Sequence, residues 1–414
     1  MTAAPVSVIV VSRDRPRLLR RCVKSLAQQY YPNFEIIVVC DPDSGEELRA
    51  AGYKDRLKIA EYDTANISVA RNMGLSVASG DIVAFIDDDS AAEPTWLNHL
   101  VEPIAKGHAV AAGGYVRGRN GISFQWRARD VRPNGWSEPL LIEGSEPVCV
   151  TTEPALGVKT EGTNMAFSRS KIMAMGGFDP AFQFYLDETD VNMRLANEHA
   201  VTAIVPLAQV HHGFAQSSRR TAFRAPRSLF HEGRSLCIYL RKHCATEQHD
   251  MTIRAEREHQ RRRVLDYMVA GRIDPVKVRS LMQSFDQGVA EGMAAKLTEP
   301  APVVSANLPF LKFDADPAEL GHTALVARWY NFKKVVARAM SLRNAGHRVT
   351  IFRYSLTAVF HRVCFRDDGI WLQSGGLFGR SDRNDPLFRL TRKKLRTDRE
   401  LSRLRGLREL LPKK

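Results

Sequence analysis

Three runs of apolar, largely β-branched residues, VSVIVV (6–11), FEIIVVC (34–40) and DIVAFI (81–86), constrain this chain more than any other feature. Each is short for a buried helix, and none alternates apolar with polar as a strand with one wet face would. Continuous apolar strands belong to a sheet covered on both faces, which in practice is a parallel one. The intervening sequence supplies the cover. Pro16 suits a first helical turn, and Leu18, Leu19, Cys22, Val23, Leu26 and Tyr30 follow at helical spacing. LKIAEY (57–62) predicts a further strand, residues 67–78 a short helix, and Trp96, Leu97, Leu100, Val101 and Ile104 another helix. Such alternation predicts an α/β fold with an open, mostly parallel sheet, which binds ligands beyond the carboxyl ends of its strands.

Carboxylates stand at those ends. Asp41 closes the second run, and Asp87, Asp88 and Asp89 close the third. Three adjacent negative charges repel one another. A D-x-D at a strand end is a hard-oxygen site suited to Mg2+ or Mn2+, and a cation would relieve the repulsion while bridging to a diphosphate. On the tripeptide alone, an acidic turn before a helix reads the same way. Further along, YLDETDVNMRLANEHA (185–200) predicts a helix whose first turn is acidic, as the helix dipole favours. VTAIVPLAQVHHG (201–213) predicts a strand ending in His211 and His212, of which alternation lets only one face a given site.

The remaining sequence is less regular. Residues 117–160 predict an irregular or hairpin excursion. EGTNMAFSRSKIMAMGGFDPAF (161–182) predicts a short strand, a helix and a Gly-Gly stop. RSLFHEGRSLCIYLRKH (227–243) reads as a basic amphipathic helix, with further helices up to about residue 299. Residues 300–317 read as a linker, 324–345 as a helix stopped by Gly346, RVTIFRY as a strand, and HRVCFRDDGIWLQSGG (361–376) as a hairpin turning at Asp368-Gly369. The expected domains are therefore 1–225, 226–299 and 300–414.

Taken in order, VSVIVVSRDRP, FEIIVVCDPDS, ARNMGLSVASGDIVAFIDDDS, GTNMAFSRSKIMAMGGFDPAF, YLDETDVNMRL and VHHG resemble the family 2 glycosyltransferases of GT-A fold, over roughly residues 5–243. The resemblance implies an inverting transfer of a sugar from a nucleotide-diphospho-sugar, expected to be UDP-linked, to a saccharide or lipid-linked saccharide in surface polysaccharide synthesis. It implies that Val11, Ser12 and Arg13 contact the nucleobase, that Asp41 hydrogen-bonds it, and that Arg71 lies near base and diphosphate. It sets Asp88 at the ribose, Asp89 as principal ligand of Mn2+ or Mg2+, Asp87 as its D-x-D partner, and one of the histidines, His212 rather than His211, beside the metal. Asp187 and Glu188 match the family's acidic pair. Their order, DE where the family has ED, leaves the general base open between them. Thr163 and Asn164 match a loop near the donor sugar. VSRD stands where the family usually has Pro-Thr-Tyr-Asn, so base stacking on an aromatic there is lost or taken over by Arg13.

Two other classes compete. A nucleotidyltransferase would carry a glycine-rich phosphate loop after its first strand, and VVSRDRP has no glycine. A catalytically inactive transferase-like scaffold would keep the fold without the chemistry. The net charge of +14 calls for an anionic partner, but no zinc-finger, RRM or helix-turn-helix signature points to nucleic acid. The six cysteines are scattered without a CxxC pair, as in a reducing compartment. The N-terminus lacks the features of a signal peptide, and no apolar run reaches the ~18 residues of a membrane span. The expected location is cytoplasmic, peripheral on the inner face of the membrane. The basic helix at 227–243 and the basic tail at 391–414 are the expected contacts with anionic lipid.

Overall fold

The computed structural model describes residues 3–217 and 219–409. In chain order its main elements begin with β1 (Val6–Val11), α1 (Pro16–Leu26), β2 (Phe34–Cys40), α2 (Pro42–Leu48), β3 (Lys58–Glu61), α3 (Ile67–Val77), β4 (Ile82–Asp87), β5 (Ser90–Ala92) and α4 (Trp96–Ala105). They continue through β6 (Ala111–Arg117), β7 (Phe124–Trp126), β8 (Asp130–Val131), β9 (Val148–Thr151), β10 (Gly157–Val158), β11 (Met165–Ser168), α5 (Arg169–Ala174), α6 (Asp187–Asn197) and β12 (Val201–His212). Three helices follow, α7 (Phe230–His243), α8 (His249–Val269) and α9 (Pro275–Ala294). The chain closes with β13 (His322–Arg328), α10 (Phe332–Asn344), β14 (Arg348–Ser355), β15 (Arg362–Phe365), β16 (Trp371–Gly376) and α11 (Lys393–Arg403).

The main sheet has the order β3-β2-β1-β4-β11-β6-β12-β5, with β7 added on β6 and β9 on β12. β3, β2, β1 and β4 are parallel, whereas β11 runs antiparallel between β4 and β6. Its two faces are covered separately. One packs Leu19 and Cys22 of α1 and Leu97 and Leu100 of α4 against Val8, Val10 and Ile36. The other packs Leu75 of α3, Ile172 of α5 and Val191 and Leu195 of α6 against Ile9, Val39 and Phe85. Each fully buried aliphatic side chain contributes ~1.5–3 kcal/mol, which is why runs without a polar face remain in the middle of the sheet.

Helices α7, α8 and α9 share a core of Leu236, Leu240, Val264, Leu281 and Phe285. The other side of α7, Ile238 and Tyr239, is buried against Phe182, Leu186 and Met193. The apolar residues of 227–243 therefore face protein, Leu229, Leu236, Ile238 and Tyr239 being essentially inaccessible, and this helix has no apolar face left for lipid. The tail is part exposed and part buried: Arg392, Lys393, Lys394 and Leu395 are exposed. Leu404 and Leu407 are buried against Phe352, Tyr354 and Leu377, while Leu411 lies outside the described residues. No helix among the described residues is long and apolar enough to cross a membrane.

Residues 300–317 run irregularly along the main sheet's edge. Their N–H groups donate from Phe313 to the Phe34 carbonyl (2.7 Å) and from Asp316 to that of Ala27 (2.9 Å). Beyond them lies a second sheet of order β13-β14-β16-β15. Residues 324–328, expected to open a helix, instead belong to β13, parallel to β14. HTALVAR is β-branched and apolar enough to serve as an edge strand, and the helix begins only at Phe332. β15 and β16 form the expected hairpin, with Gly369 at φ 80° in its turn.

Candidate active site

The carboxyl ends of β1 and β4 and the N-terminus of α6 open on one cleft of about 1500 Å³. The turn into α6 is unusual. Tyr185 and Leu186 are both left-handed, at φ 72° and 63°, a conformation that costs non-glycine residues energy and clusters at functional sites. It sets Asp187 and Glu188 in the helix's first turn, where the backbone N–H groups favour negative charge. Asp187 is buried and ion-paired to Arg71, whose Nη2 donates to the Gly162 carbonyl at 3.2 Å. A Cβ on Gly162 would fall 2.5 Å from that nitrogen, so a larger residue there would displace the guanidinium. Burial pushes the Asp187 carboxyl up to about 7 against the opposing pull of Arg71. Glu188 is half-buried and lines the cleft.

Opposite stands the strand-end triad. Asp87, Asp89 and His212 each offer a ligand atom, all within 4.8 Å of one another. His212 Nε2 lies 3.2 Å from Asp89 Oδ1 and 4.0 Å from Asp87 Oδ2. The register explains the convergence: β12 pairs antiparallel with β5, His212 opposite Ser90, immediately after Asp89. His212 Nδ1 contacts Gln125 Oε1 at 3.1 Å. An amide oxygen only accepts, so Nδ1 donates to it, and Nε2 is the ring nitrogen that faces Asp89 and Asp87 and would ligate a cation placed between them. Asp89 Oδ2 is occupied by the Ala215 N–H (2.8 Å), leaving Oδ1 toward the histidine. Two carboxylates and one imidazole, with the tautomer already selected, fit a Mn2+- or Mg2+-type ion.

The sequence-derived residues do not all gather here. Val11, Ser12, Arg13, Arg71, Asp87, Asp89, Thr163, Asp187, Glu188 and His212 line the cleft. Asp88 does not. It is fully buried beneath them, accepting from Ser12 Oγ (2.6 Å) and paired with Arg15 (2.7 Å), so it has no face for a ribose. Burial lifts its carboxyl to about 7, while His212, Arg15 and the Ala215 N–H outweigh burial at Asp89 and hold that carboxyl below its ordinary range. Asp41 is spent as the N-cap of α2, accepting from Ser44 N (3.0 Å), Ser44 Oγ (2.7 Å) and Asp14 N (2.9 Å). Asn164 is buried inside the sheet. Its amide donates to the Tyr115 and Ala208 carbonyls (3.0 and 2.8 Å) and accepts from Trp96 Nε1 (2.8 Å). His211 points to the opposite face of β12, where its Nε2 meets Glu93 Oε1 at 2.8 Å.

Several residues of the site were not anticipated. Arg15 balances the buried aspartates, and Arg220, 3.5 Å from Asp89, joins them from the loop after β12. Tyr62, at the end of β3, brings an aromatic ring to the cleft wall near Val11 and Arg13. The tyrosine closing LKIAEY was the one signal available for it. Arg220, Arg263 and Tyr267 reach the cleft from segments that carry no motif.

Parts of the chain are similar to known proteins. The model of the family described as glycosyl transferase family 2 matches residues 7–160. A glucosyl-dolichyl phosphate glucuronosyltransferase of Haloferax volcanii is 30% identical over 182 residues, 42% of this chain and 56% of that protein. The O-antigen biosynthesis protein RfbC of Myxococcus xanthus is 28% identical over 243 residues, 53% of this chain and 18% of that protein. The chain thus spans little more than half of the first relative and less than a fifth of the second. A mannosyltransferase from Pyrobaculum calidifontis, solved with GDP-Man and Mn2+, is 16% identical at a TM-score of 0.43, over 70% of this chain and 87% of that one. The matched residues, 7–160, carry Arg71 and the strand-end aspartates, so this part of the chain is similar to glycosyl transferase family 2.

Proposed function

We propose that the protein transfers a sugar from a nucleotide-diphospho-sugar to an acceptor hydroxyl with inversion at the anomeric carbon. One observation carries this reading: a cation-ready triad, Asp87, Asp89 and His212, shares a single cleft with Glu188 and with the β1 end at Val11–Arg13. A bound Mn2+ or Mg2+ would supply Lewis-acid neutralisation of the diphosphate leaving group. Ser12, Arg13 and Tyr62 would hold the nucleoside end, UDP being the donor expected, and Arg71 the phosphate side. Glu188 supports the role of general base better than Asp187, since Asp187 is committed to Arg71 whereas Glu188 faces open cleft. The acceptor oxygen bonds to the anomeric carbon as the bond from that carbon to the diphosphate oxygen breaks. Glu188 takes the hydroxyl proton, and the nucleoside diphosphate leaves with the bonding pair. A saccharide or lipid-linked saccharide acceptor, surface polysaccharide synthesis and residence at the inner face of the cytoplasmic membrane complete the reading.

The test is Glu188→Gln. Turnover should fall ~10²–10⁴-fold with donor affinity little changed, because a base acts in the transition state. Nucleoside diphosphate release at the wild-type rate from Glu188→Gln, with loss in Asp187→Asn, would reverse the two roles.

A further inference from the structure

The second sheet carries an exposed apolar face that plays no part in the cleft. After β14 the chain loops through Leu356, Val359 and Phe360, which are 67%, 61% and 49% exposed. After β16 it returns through Leu387, Phe388 and Leu390, at 64%, 57% and 80%. The two segments are neighbours. The Phe378 N–H donates to the Thr357 carbonyl (3.1 Å) and the Arg389 N–H to that of Phe378 (2.9 Å), and the Phe378 and Phe388 rings lie 5.6 Å apart. Single exposed apolar residues are ordinary, but large apolar side chains gathered on two adjoining loops mark an interaction surface.

Its charge identifies the partner. The Arg380 guanidinium lies 4.1 Å from the Phe360 ring, and Arg389, Arg392, Lys393 and Lys394 are exposed alongside. Neither residues 355–364 nor residues 386–397 contain an acidic side chain. Protein interfaces are depleted in lysine. Apolar tips ringed by exposed cations match a layer of anionic headgroups over acyl chains.

We propose that this face docks on an anionic lipid bilayer, with Phe360, Phe388 and Leu390 entering the headgroup–acyl boundary and the basic residues meeting lipid phosphates. It extends the membrane part of the function proposed above and replaces the packed helix α7 as the contact, but its test requires no catalysis. The full chain is floated with vesicles of phosphatidylcholine alone and of phosphatidylcholine mixed with phosphatidylglycerol. Binding should be at least about tenfold stronger to the mixed vesicles and should weaken with salt. Phe360→Ser/Phe388→Ser/Leu390→Ser should lower it about tenfold or more at unchanged melting temperature, and so should Arg389→Glu/Arg392→Glu, which alters no apolar contact. Absence of binding, binding equal for the two vesicles, or binding untouched by both variants overturns the proposal. So does a lipid-free dimer, seen by sedimentation velocity, that the triple serine variant dissolves, since the face then belongs to a second copy of the chain.

Discussion

Adjacent histidines on β12 face two carboxylate clusters that are built to opposite ends. On one side His211 and Glu93 are closed off. Glu93 is 1% exposed and receives Arg408 twice, at 2.7 and 2.8 Å, as well as the imidazole at 2.8 Å. Arg408 continues to Thr350 (2.9 Å) and lies over the Trp371 ring. One negative charge meets one positive charge in a dry setting, and burial keeps His211 below its ordinary value and therefore neutral. On the other side His212 faces Asp87 and Asp89, and Asp87 is one-third exposed to the cleft. Arg71 lies 3.7 Å from Asp87 but is committed to Asp187. The first cluster is a completed ion pair that fastens the second sheet to β12. The second also has arginines beside it, Arg15 and Arg220 at Asp89, but through Asp87 it keeps a face open to the cleft where a cation could enter. Residue type does not separate the two; access to the cleft does.

The largest expected effect lies at the closed cluster. Glu93→Gln leaves Arg408 buried without its partner and should cost ~3–5 kcal/mol of stability, read from the urea midpoint, while the cation requirement of the folded protein stays as it was. At the open cluster the order reverses. Asp89→Asn should lower cation-dependent nucleoside diphosphate release ~10²–10³-fold, the scale of losing one electrostatic partner of a developing charge. If both substitutions affected stability and catalysis alike, the distinction drawn here would collapse.

A smaller effect probes how the open cluster is poised. Gln125→Leu removes the acceptor that selects the His212 tautomer and should raise the Mn2+ concentration for half-activation ~10–100-fold. An unchanged Mn2+ titration would show that Gln125 does not orient the ring. The smallest effect concerns pH. Asp88 and Asp187 have folded-state values of about 7, above the ordinary carboxylate value. The folded state therefore binds more protons than the unfolded, and their contribution is present at low pH and lost as pH rises through about 7. Glu93 and Asp190 are held below their ordinary range, so their contribution is lost only in stronger acid. The melting temperature of the metal-free protein should fall between about pH 5 and about pH 8, and Asp88→Asn should flatten that slope. A flat wild-type profile would remove Asp88 and Asp187 as the source.

The strands and helices around the site were legible because their signals are local. A buried parallel strand has no polar face to hide, so VSVIVV, FEIIVVC and DIVAFI declare themselves, as do a proline at the first turn of α1 and a pair of carboxylates opening α6. The triad was legible too, since strand ends carry ligands and alternation lets one histidine of a pair face them. What the sequence could not convey is which polar groups are already satisfied. Asp41, Asp88 and Asn164 carry the right chemistry in the right motifs, yet each is spent, on a helix cap, on Ser12 and Arg15, and on two carbonyls and an indole. The same holds for α7, whose basic amphipathic pattern suits a bilayer as well as it suits Phe285 and Met193. Counter-charge and cover come from residues far away in the chain, Arg408 for Glu93 and α9 for α7. Periodicity and spacing carry no information about such long-range pairings, so only the tertiary structure decides whether a carboxylate is a ligand or a brace.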